Sequence, residues 1–159
     1  MPATVPPVVQ PGRETMMARG WLDGVRSRRA FAYLFDIVII LLIQLVGFLV
    51  ALLLAIPTFG LTTLAFGPLA ATPLIGILYS GLTVGGARQA TLGQRAMDLQ
   101  MVRNDGQPID FLYGASHGLL FYLSMVFLTP VVLIVCLFDS RKRLLHDIVL
   151  GMVVRRVTP

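Results

Sequence analysis

Two charged residues at the start of the first apolar segment have the spacing of a helical pair. Arg29 precedes Asp36 by seven residues, and Asp36 is followed by 51 residues, 37–87, without Asp, Glu, Lys or Arg. Seven residues are nearly two turns of an α-helix, so both side chains lie on one face, about 10 Å apart along the axis. Burying an Asp in the middle of a membrane helix costs roughly 2.5–3.5 kcal/mol. Asp36 therefore needs a partner, and it predicts either a structural ion pair or a titratable site for a cation or proton.

Basic residues on the cytoplasmic side are the expected partners of the Asp36 carboxylate. Arg29 is the nearest along the chain, and Arg95 in the central loop and Arg143 in the tail are further candidates. As structure, such a cluster would fix the rotation of the first helix and cap the bundle at the inner leaflet. As a mechanism, it could bind a cation or proton when the basic partner moves away.

A second group of polar residues lies near the end of the chain. Asp139 and Arg143 have i,i+4 spacing, and so do Arg143 and Asp147, which allows a ladder of charges on one helix face. The Leu, Ile and Val residues between them supply an apolar face, so residues 139–149 are predicted to form an amphipathic helix on the membrane surface. His146 and Asp147 are sequence neighbours that point in different directions, which is not the arrangement of a catalytic pair.

No pattern in the sequence predicts an enzyme, a metal site or a cofactor. The two histidines, His117 and His146, lack a Cys or carboxylate at metal-ligand spacing, and His117 is expected to be a hydrogen-bonded packing residue. Metalloprotease, Walker and Rossmann motifs are missing. The Gly-rich stretch "GLTVGGARQATLGQR" does not end in the Lys and Ser or Thr of a phosphate-binding loop. We therefore expect a protein without catalytic residues, metal or cofactor.

Composition indicates an integral membrane protein. Of the 159 residues, 56% are apolar and 13% are charged, and the mean hydropathy is +0.80. A soluble domain of this size carries roughly 25% charged residues. Half that charge, together with long apolar runs, favours a chain embedded in the bilayer.

The net charge of +5 has a distribution that favours lipid over nucleic acid. Five of the 13 basic residues precede the first apolar run, three lie in the central polar loop and five lie in the tail. Basic residues beside membrane spans mark the cytoplasmic side and attract anionic lipid head groups. The N-terminus, the central loop and the tail are therefore predicted to be cytoplasmic, in contact with anionic lipids, and no nucleic-acid partner is expected.

The chain is predicted to form one membrane domain after a disordered tail. Residues 1–25 begin with a proline-rich stretch, and residues 26–157 contain apolar runs at about 30–56, 69–84 and 111–138. The polar segments "DLQMVRNDG" and "GMVVRRV" each read as a short strand, the first ending in an Asp-Gly turn. The predicted fold is an all-α integral membrane protein, a small bundle of three or four membrane segments. It carries a cytoplasmic amphipathic helix and, if both strands share one side, a two-stranded β ladder.

The third apolar run, residues 111–138, has an awkward length. One span needs about 20 residues and two need about 40, whereas this run has 28. A cytoplasmic central loop and a cytoplasmic tail require an even number of crossings between them. We therefore favour a short or re-entrant hairpin broken near Thr129-Pro130 over a single tilted helix.

Three stretches of the sequence, taken in order over residues 28–154, resemble the RDD family of bacterial membrane proteins. They are "RAFAYLFD", "QATLGQRAMDLQMVRNDGQPI" and "SRKRLLHDIVLGMVV". The matching signature residues are Arg29, Asp36, Thr91, Gly93, Arg95, Val102, Gly106 and Asp147. Ala90 departs in a minor way from the polar or glycine residue that is common at that point.

The resemblance implies a multi-pass protein of the bacterial inner membrane whose molecular function is uncharacterised, with transport suggested. The signature and candidate ion or ion-pair residues are then Arg29, Asp36 and Asp147, supported by Thr91, Gly93, Arg95, Arg143 and His146. One hypothesis is an ion or small-solute transport subunit that uses the buried Asp and that must form a homo-oligomer to enclose a pathway. The alternative is a non-transporting scaffold or an accessory subunit of a larger complex.

Overall fold

The computed structural model describes residues 20–65, 68–139, 141 and 143–158. In chain order this part contains α1 (Val25–Leu53), α2 (Leu61–Ala65), α3 (Pro68–Val84), α4 (Leu92–Ala96), β1 (Leu99–Arg103), α5 (Phe111–Phe138), α6 (Leu145–Val149) and β2 (Met152–Arg156). Most of the predicted N-terminal tail, residues 1–19, lies outside the described residues. Residues 20–24 form turns that lead into α1.

Helix α1 has the length and surface of a membrane span. Its 29 residues extend about 43 Å, and its most apolar window has a mean hydropathy of 2.8. Only 11% of that window is buried against the rest of the chain, whereas the core helix of a soluble protein is mostly covered. The apolar face of α1 therefore needs lipid or another protein around it. Two shorter apolar helical stretches, Ala71–Val84 and Phe111–Phe127, accompany it.

Helices α3 and α5 pack antiparallel through small residues. Gly114 on α5 lies against Gly81 of α3 and against Gly85, which follows the end of α3, whereas Gly118 lies against Ile77 and Ser80. Gly81 and Gly85, like Gly114 and Gly118, have the four-residue spacing of close helix contacts in membranes. A Cβ atom at Gly114 would lie 2.9 Å from the backbone nitrogen of Gly85. Ser80 Oγ donates a hydrogen bond across the interface to the carbonyl of Gly114 (2.8 Å). These two helices therefore touch backbone to backbone near the polar central loop.

The predicted β ladder is confirmed, and it carries the best-packed core of the chain. Strands β1 and β2 pair antiparallel, with Met101 opposite Val154. Both side chains are fully buried and pack with Val25 and Val84, residues near the ends of α1 and α3. On the other face of the sheet, Leu22 covers Val102 and Val153. The polar loop and the tail thus form one small unit at the ends of the apolar helices.

Helix α5 corrects the prediction of a hairpin at Thr129-Pro130, because the helix continues through both residues. It begins after Asp110, whose carboxylate accepts a hydrogen bond from the backbone N–H of Tyr113 (2.7 Å). A proline inside a helix removes one hydrogen bond, and membrane helices tolerate this loss. The pairing of β1 with β2 still places the central loop and the tail at the same end of the structure.

The predicted amphipathic helix over residues 139–149 is also corrected. Helix α6 covers only Leu145–Val149, and the residues 139, 141, 143 and 144 before it are not helical. His146 and Asp147 are buried, whereas Ile148 and Val149 are exposed. The side chains of His146 and Asp147 face the interior, where they have ion-pair and hydrogen-bond partners. They therefore do not form a charged outer face.

Candidate functional site

The Asp36 carboxylate joins α1 to the central loop through three hydrogen bonds. Its Oδ1 atom accepts from the hydroxyl of Tyr79 (2.5 Å) and from the backbone N–H of Gly93 (2.7 Å). Its Oδ2 atom accepts from the hydroxyl of Thr91 (2.6 Å). The Tyr79 hydroxyl in turn accepts from the N–H of Leu92 (3.0 Å). Asp36 therefore binds the start of α4, where free N–H groups favour a negative charge.

Thr91 and Gly93 fit this contact for separate physical reasons. Thr91 is the N-cap of α4 and forms a reciprocal capping box with Gln94. Gly93 lies so close to α1 that a Cβ atom on it would be 2.1 Å from the carbonyl oxygen of Ala32 and 2.9 Å from Cγ of Asp36. Only glycine lets the α4 backbone approach α1 closely enough for its N–H to reach the carboxylate.

Arg95 completes the same segment at the end of α3. Its guanidinium donates to the carbonyl of Thr83 in the last turn of α3 (3.0 Å), and its Nε donates to the carbonyl of Ala90 (2.9 Å). A cation that binds the last carbonyls of a helix is favoured by the helix dipole. Arg95 therefore fixes the loop to α3. The predicted pairing of Arg95 with Asp36 is not formed.

The predicted ion pair between Arg29 and Asp36 is wrong. Arg29 donates to Oδ2 of Asp147 at 2.6 Å, and among the described residues Asp36 forms no ion pair. Arg143 is not a partner of Asp36 either, because it pairs with Asp139 (2.9 Å). The two carboxylates of the signature thus serve different contacts: Asp36 binds neutral donors and Asp147 binds an arginine.

Asp147 is fully buried at the centre of a polar cluster. Its Oδ2 atom accepts from Arg29 and from the backbone N–H of Leu144 (3.0 Å), and its Oδ1 atom lies 3.1 Å from Nε2 of His117. Burial alone would raise the pKa of Asp147, but the Arg29 guanidinium and the His117 hydrogen bond outweigh burial and hold the pKa well below its usual range. The Asp147 carboxylate is therefore ionised at neutral pH.

His146 belongs to the same cluster and is neutral. Burial lowers its pKa to about 3, against the opposing attraction of Asp147. Its Nδ1 atom lies 3.2 Å from the hydroxyl of Ser124 on α5, and its Nε2 atom lies 3.5 Å from Oδ1 of Asp147. The ring also makes an edge contact with His117, with centroids 5.0 Å apart. The tail is thus docked on α5 by polar side chains that are inaccessible to solvent.

Sequence reasoning missed two residues of these sites. Tyr79 is not identified by any pattern, and only its place on α3, opposite Asp36, reveals its role. His117 is buried and hydrogen-bonded, as predicted, but its partner, the signature carboxylate Asp147 30 residues further along the chain, was not predicted. A buried histidine inside an apolar run, followed by a second histidine in the tail, was the available signal.

One short motif matches an enzyme signature by letter only. Residues 114–118, "GASHG", have the Gly-x-Ser-x-Gly spacing of the α/β-hydrolase nucleophile. In those enzymes the Ser lies on a strained turn between a strand and a helix, whereas Ser116 lies within α5 and is exposed. The motif therefore reflects the small residues of the helix interface.

Comparison with known proteins identifies the family. The model of the RDD family matches residues 24–151, which is most of the chain and includes α1, the Thr91–Arg95 segment and Asp147. No curated protein and no solved structure matches the chain. The match agrees with the apolar, uncovered surface of α1 in indicating a membrane protein. The chain belongs to the RDD family.

Proposed function

We propose that this RDD protein is a membrane-embedded assembly subunit, whose signature charges hold its cytoplasmic segments against its apolar helices. The observation that supports this function is the full engagement of both signature carboxylates. Each of the four carboxylate oxygens of Asp36 and Asp147 accepts a hydrogen bond from the protein itself. When all the oxygens of a carboxylate accept hydrogen bonds within the fold, the group is satisfied by the protein, which favours a structural role over ligand binding.

A surface available to partners is the apolar flank of α1. Within this helix the buried residues are Val25, Ala32, Asp36, Gln44 and Ala51, while leucines such as Leu41, Leu45 and Leu52 are exposed. Lipid, a second copy of the chain or a larger complex would cover this flank. Homo-oligomers and association with a larger complex are the two assemblies that follow from it.

The orientation belongs to the same proposal. In a multi-pass arrangement in the bacterial inner membrane, the N-terminus, the β ladder and the tail lie in the cytoplasm. Arg155 and Arg156 are then near the inner leaflet, where anionic lipids would bind them. Arg155 also stacks over the ring of Trp21 at 4.5 Å, an aromatic residue type common at membrane interfaces.

A second function, cation transport at Asp36, is favoured by a different observation. Within the described part of the chain the Asp36 charge is balanced by no ion pair, and two of its three partners are hydroxyl groups, those of Tyr79 and Thr91. Hydroxyls can accept as well as donate, so they could turn their oxygens toward a cation beside the carboxylate. Transport would require this rearrangement and an oligomer that encloses the pathway.

One experiment separates the two functions. The purified protein is reconstituted in liposomes, and cation-driven pH changes are compared for wild type, Asp36→Asn and the control Asp98→Asn, whose carboxylate is largely exposed. The assembly function predicts no flux above empty liposomes for any of the three, with a lower thermal midpoint for Asp36→Asn. Flux that is present in wild type and Asp98→Asn but lost in Asp36→Asn would replace the assembly function with transport.

A further inference from the structure

Three potential metal ligands converge beside α6. Nε2 of His117 and Nε2 of His146 lie 3.1 Å and 3.5 Å from Oδ1 of Asp147, and all three atoms lie within 4.8 Å of one another. The residues are 8%, 2% and 0% exposed. Ligands bound to Zn²⁺ at about 2.0–2.1 Å in a tetrahedron are about 3.3 Å apart. The two separations from Oδ1 of Asp147 are therefore close to those between ligands of one Zn²⁺ ion.

The hydrogen bonds around His146 leave the lone pair of its Nε2 atom directed at the space between the three ligand atoms. The Ser124 hydroxyl donates its hydrogen to the carbonyl of Phe121 (2.9 Å), so its oxygen accepts from Nδ1–H of His146 (3.2 Å). This assignment follows from the hydrogen-bond network. Nε2 of His146 then carries no hydrogen, and within the described part of the chain it is buried without a hydrogen-bond partner. A buried polar atom left in this way is destabilising.

The atom opposite Nε2 of His146 destabilises this arrangement further. Nε2 of His146 and Oδ1 of Asp147 present lone pairs to each other at 3.5 Å, an arrangement that a cation between them would stabilise. Ser124 meanwhile acts as an outer partner that sets the tautomer and orientation of the ring, as such partners do in metal sites.

Arg29 is a cationic group beside these ligands, and it binds the other carboxylate oxygen. It contacts Oδ2 of Asp147, so Oδ1 stays directed at the histidines. Arg29 and Asp147 balance each other, and a divalent ion would bring an excess positive charge that a bound hydroxide or other anion offsets. An apolar groove of about 320 Å³ reaches the cluster at His146 and Ser124 and gives a fourth ligand a way in.

We propose that His117, His146 and Asp147 bind one borderline-soft divalent metal ion, Zn²⁺ in preference to Mg²⁺ or Ca²⁺, with a fourth position open to water or an anion. Two imidazoles and one carboxylate are ligands that suit zinc, whereas Mg²⁺ and Ca²⁺ require oxygen ligands. To bind the metal, Nε2 of His117 must lose the hydrogen that it donates to Asp147. This proton moves to Nδ1 of the same ring or is released to solvent. The site goes beyond the proposed function and is compatible with it, because Arg29 and the backbone N–H of Leu144 still hold Oδ2 of Asp147 when Oδ1 binds the metal.

The test uses the full-length protein in detergent, stripped with a chelator and titrated with Co²⁺ and then with Zn²⁺. We expect one Co²⁺ per chain, with the visible absorption bands of a four- or five-coordinate ion that Zn²⁺ abolishes. His117→Gln and His146→Gln should each weaken binding at least tenfold. Asp139→Asn, a nearby carboxylate outside the cluster, should bind as wild type does.

Three results would overturn the site. They are no binding by wild type at about 100 µM free metal, binding as tight as that of wild type in both histidine variants, and Co²⁺ bands that Mg²⁺ displaces as readily as Zn²⁺ does. If one histidine variant does not fold, the other decides. If neither folds, wild type loaded with Cu²⁺ decides by electron spin echo spectroscopy: two coordinated imidazoles support the site, and one or none rejects it.

Discussion

Arg29 and Asp147 are 118 residues apart in the sequence, and their side chains meet at 2.6 Å in the interior of the protein. Arg29 is on the first turns of α1, and Asp147 is on the short helix just before the last strand. Asp36, two turns after Arg29 on the same helix, binds the central loop instead. The three residues of the signature therefore attach two separate polar segments to one apolar helix.

Removal of Arg29 should be strongly destabilising. In Arg29→Ala the Asp147 carboxylate stays buried without its cation, and breaking a buried pair in this way costs roughly 3–5 kcal/mol. Arg26→Ala, at an exposed position of the same helix, should change stability by less than about 1 kcal/mol. The measurement is the unfolding midpoint of the detergent-solubilised protein. Equal midpoints for the two variants would show that the pair does not hold the tail.

Gly93→Ala should disrupt the contact between α4 and α1. The added methyl group would meet the carbonyl oxygen of Ala32 at 2.1 Å, which backbone atoms cannot absorb without moving apart, and we expect a loss of about 2 kcal/mol or more. The matched control is Gly76→Ala on α3, where the nearest atom to the new Cβ is 3.9 Å away. The thermal midpoints of both variants give the comparison, and a Gly93→Ala protein as stable as Gly76→Ala would refute the close approach.

Tyr79→Phe should weaken the Asp36 contact while leaving the apolar packing in place. The substitution removes the hydroxyl that donates to Asp36 and accepts from Leu92, and a hydrogen bond to a charged group contributes about 1.5–3 kcal/mol. Tyr33→Phe, at a half-exposed tyrosine of α1, serves as the control and should be near neutral. The prediction fails if both tyrosine variants unfold at the same denaturant concentration.

Acid should remove a contribution from the Asp139–Arg143 pair. Hydrogen bonds from the Arg143 side chain hold the pKa of Asp139 below its ordinary value, with burial acting in the opposite direction. The pair therefore adds stability above the unfolded pKa of about 3.9, and this contribution is lost as the pH falls through the folded pKa. The stability gap between wild type and Asp139→Asn should narrow as the pH falls from 5 to 3, measured by thermal unfolding. A gap that stays constant or widens would contradict the sign.

Local patterns in the sequence predicted much of the local structure correctly, although the helix predicted over residues 139–149 is confined to Leu145–Val149. The alternation in "DLQMVRNDG" and "GMVVRRV" predicted two strands that do pair, and the Asp105-Gly106 turn follows β1 as expected. The helical spacing of Arg29 and Asp36 is also correct, because both lie on α1. Such patterns report backbone geometry over a few residues, which is the range in which spacing carries information.

Partners could not be predicted in the same way. The sequence placed Arg29 beside Asp36 because they share a helix face, but packing of the tail brings Asp147 closer. The cluster of His117, His146 and Asp147 forms only because α6 docks on α5, and nothing in the spacing of these residues reveals that contact. Pro130 was read as a break, although a single proline does not end helix α5.

Hydrogen exchange in lipid nanodiscs would test most directly whether the two carboxylates hold two separate segments. In Asp36→Ala, residues 91–96 should exchange about tenfold faster or more, because the N–H of Gly93 and the cap of α4 lose their acceptor, while residues 144–150 and the β ladder stay protected. Asp147→Ala should show the reverse, with faster exchange at 144–150 and unchanged protection at 91–96. Unchanged protection at 91–96 in Asp36→Ala, or the same response from both variants, would contradict the account.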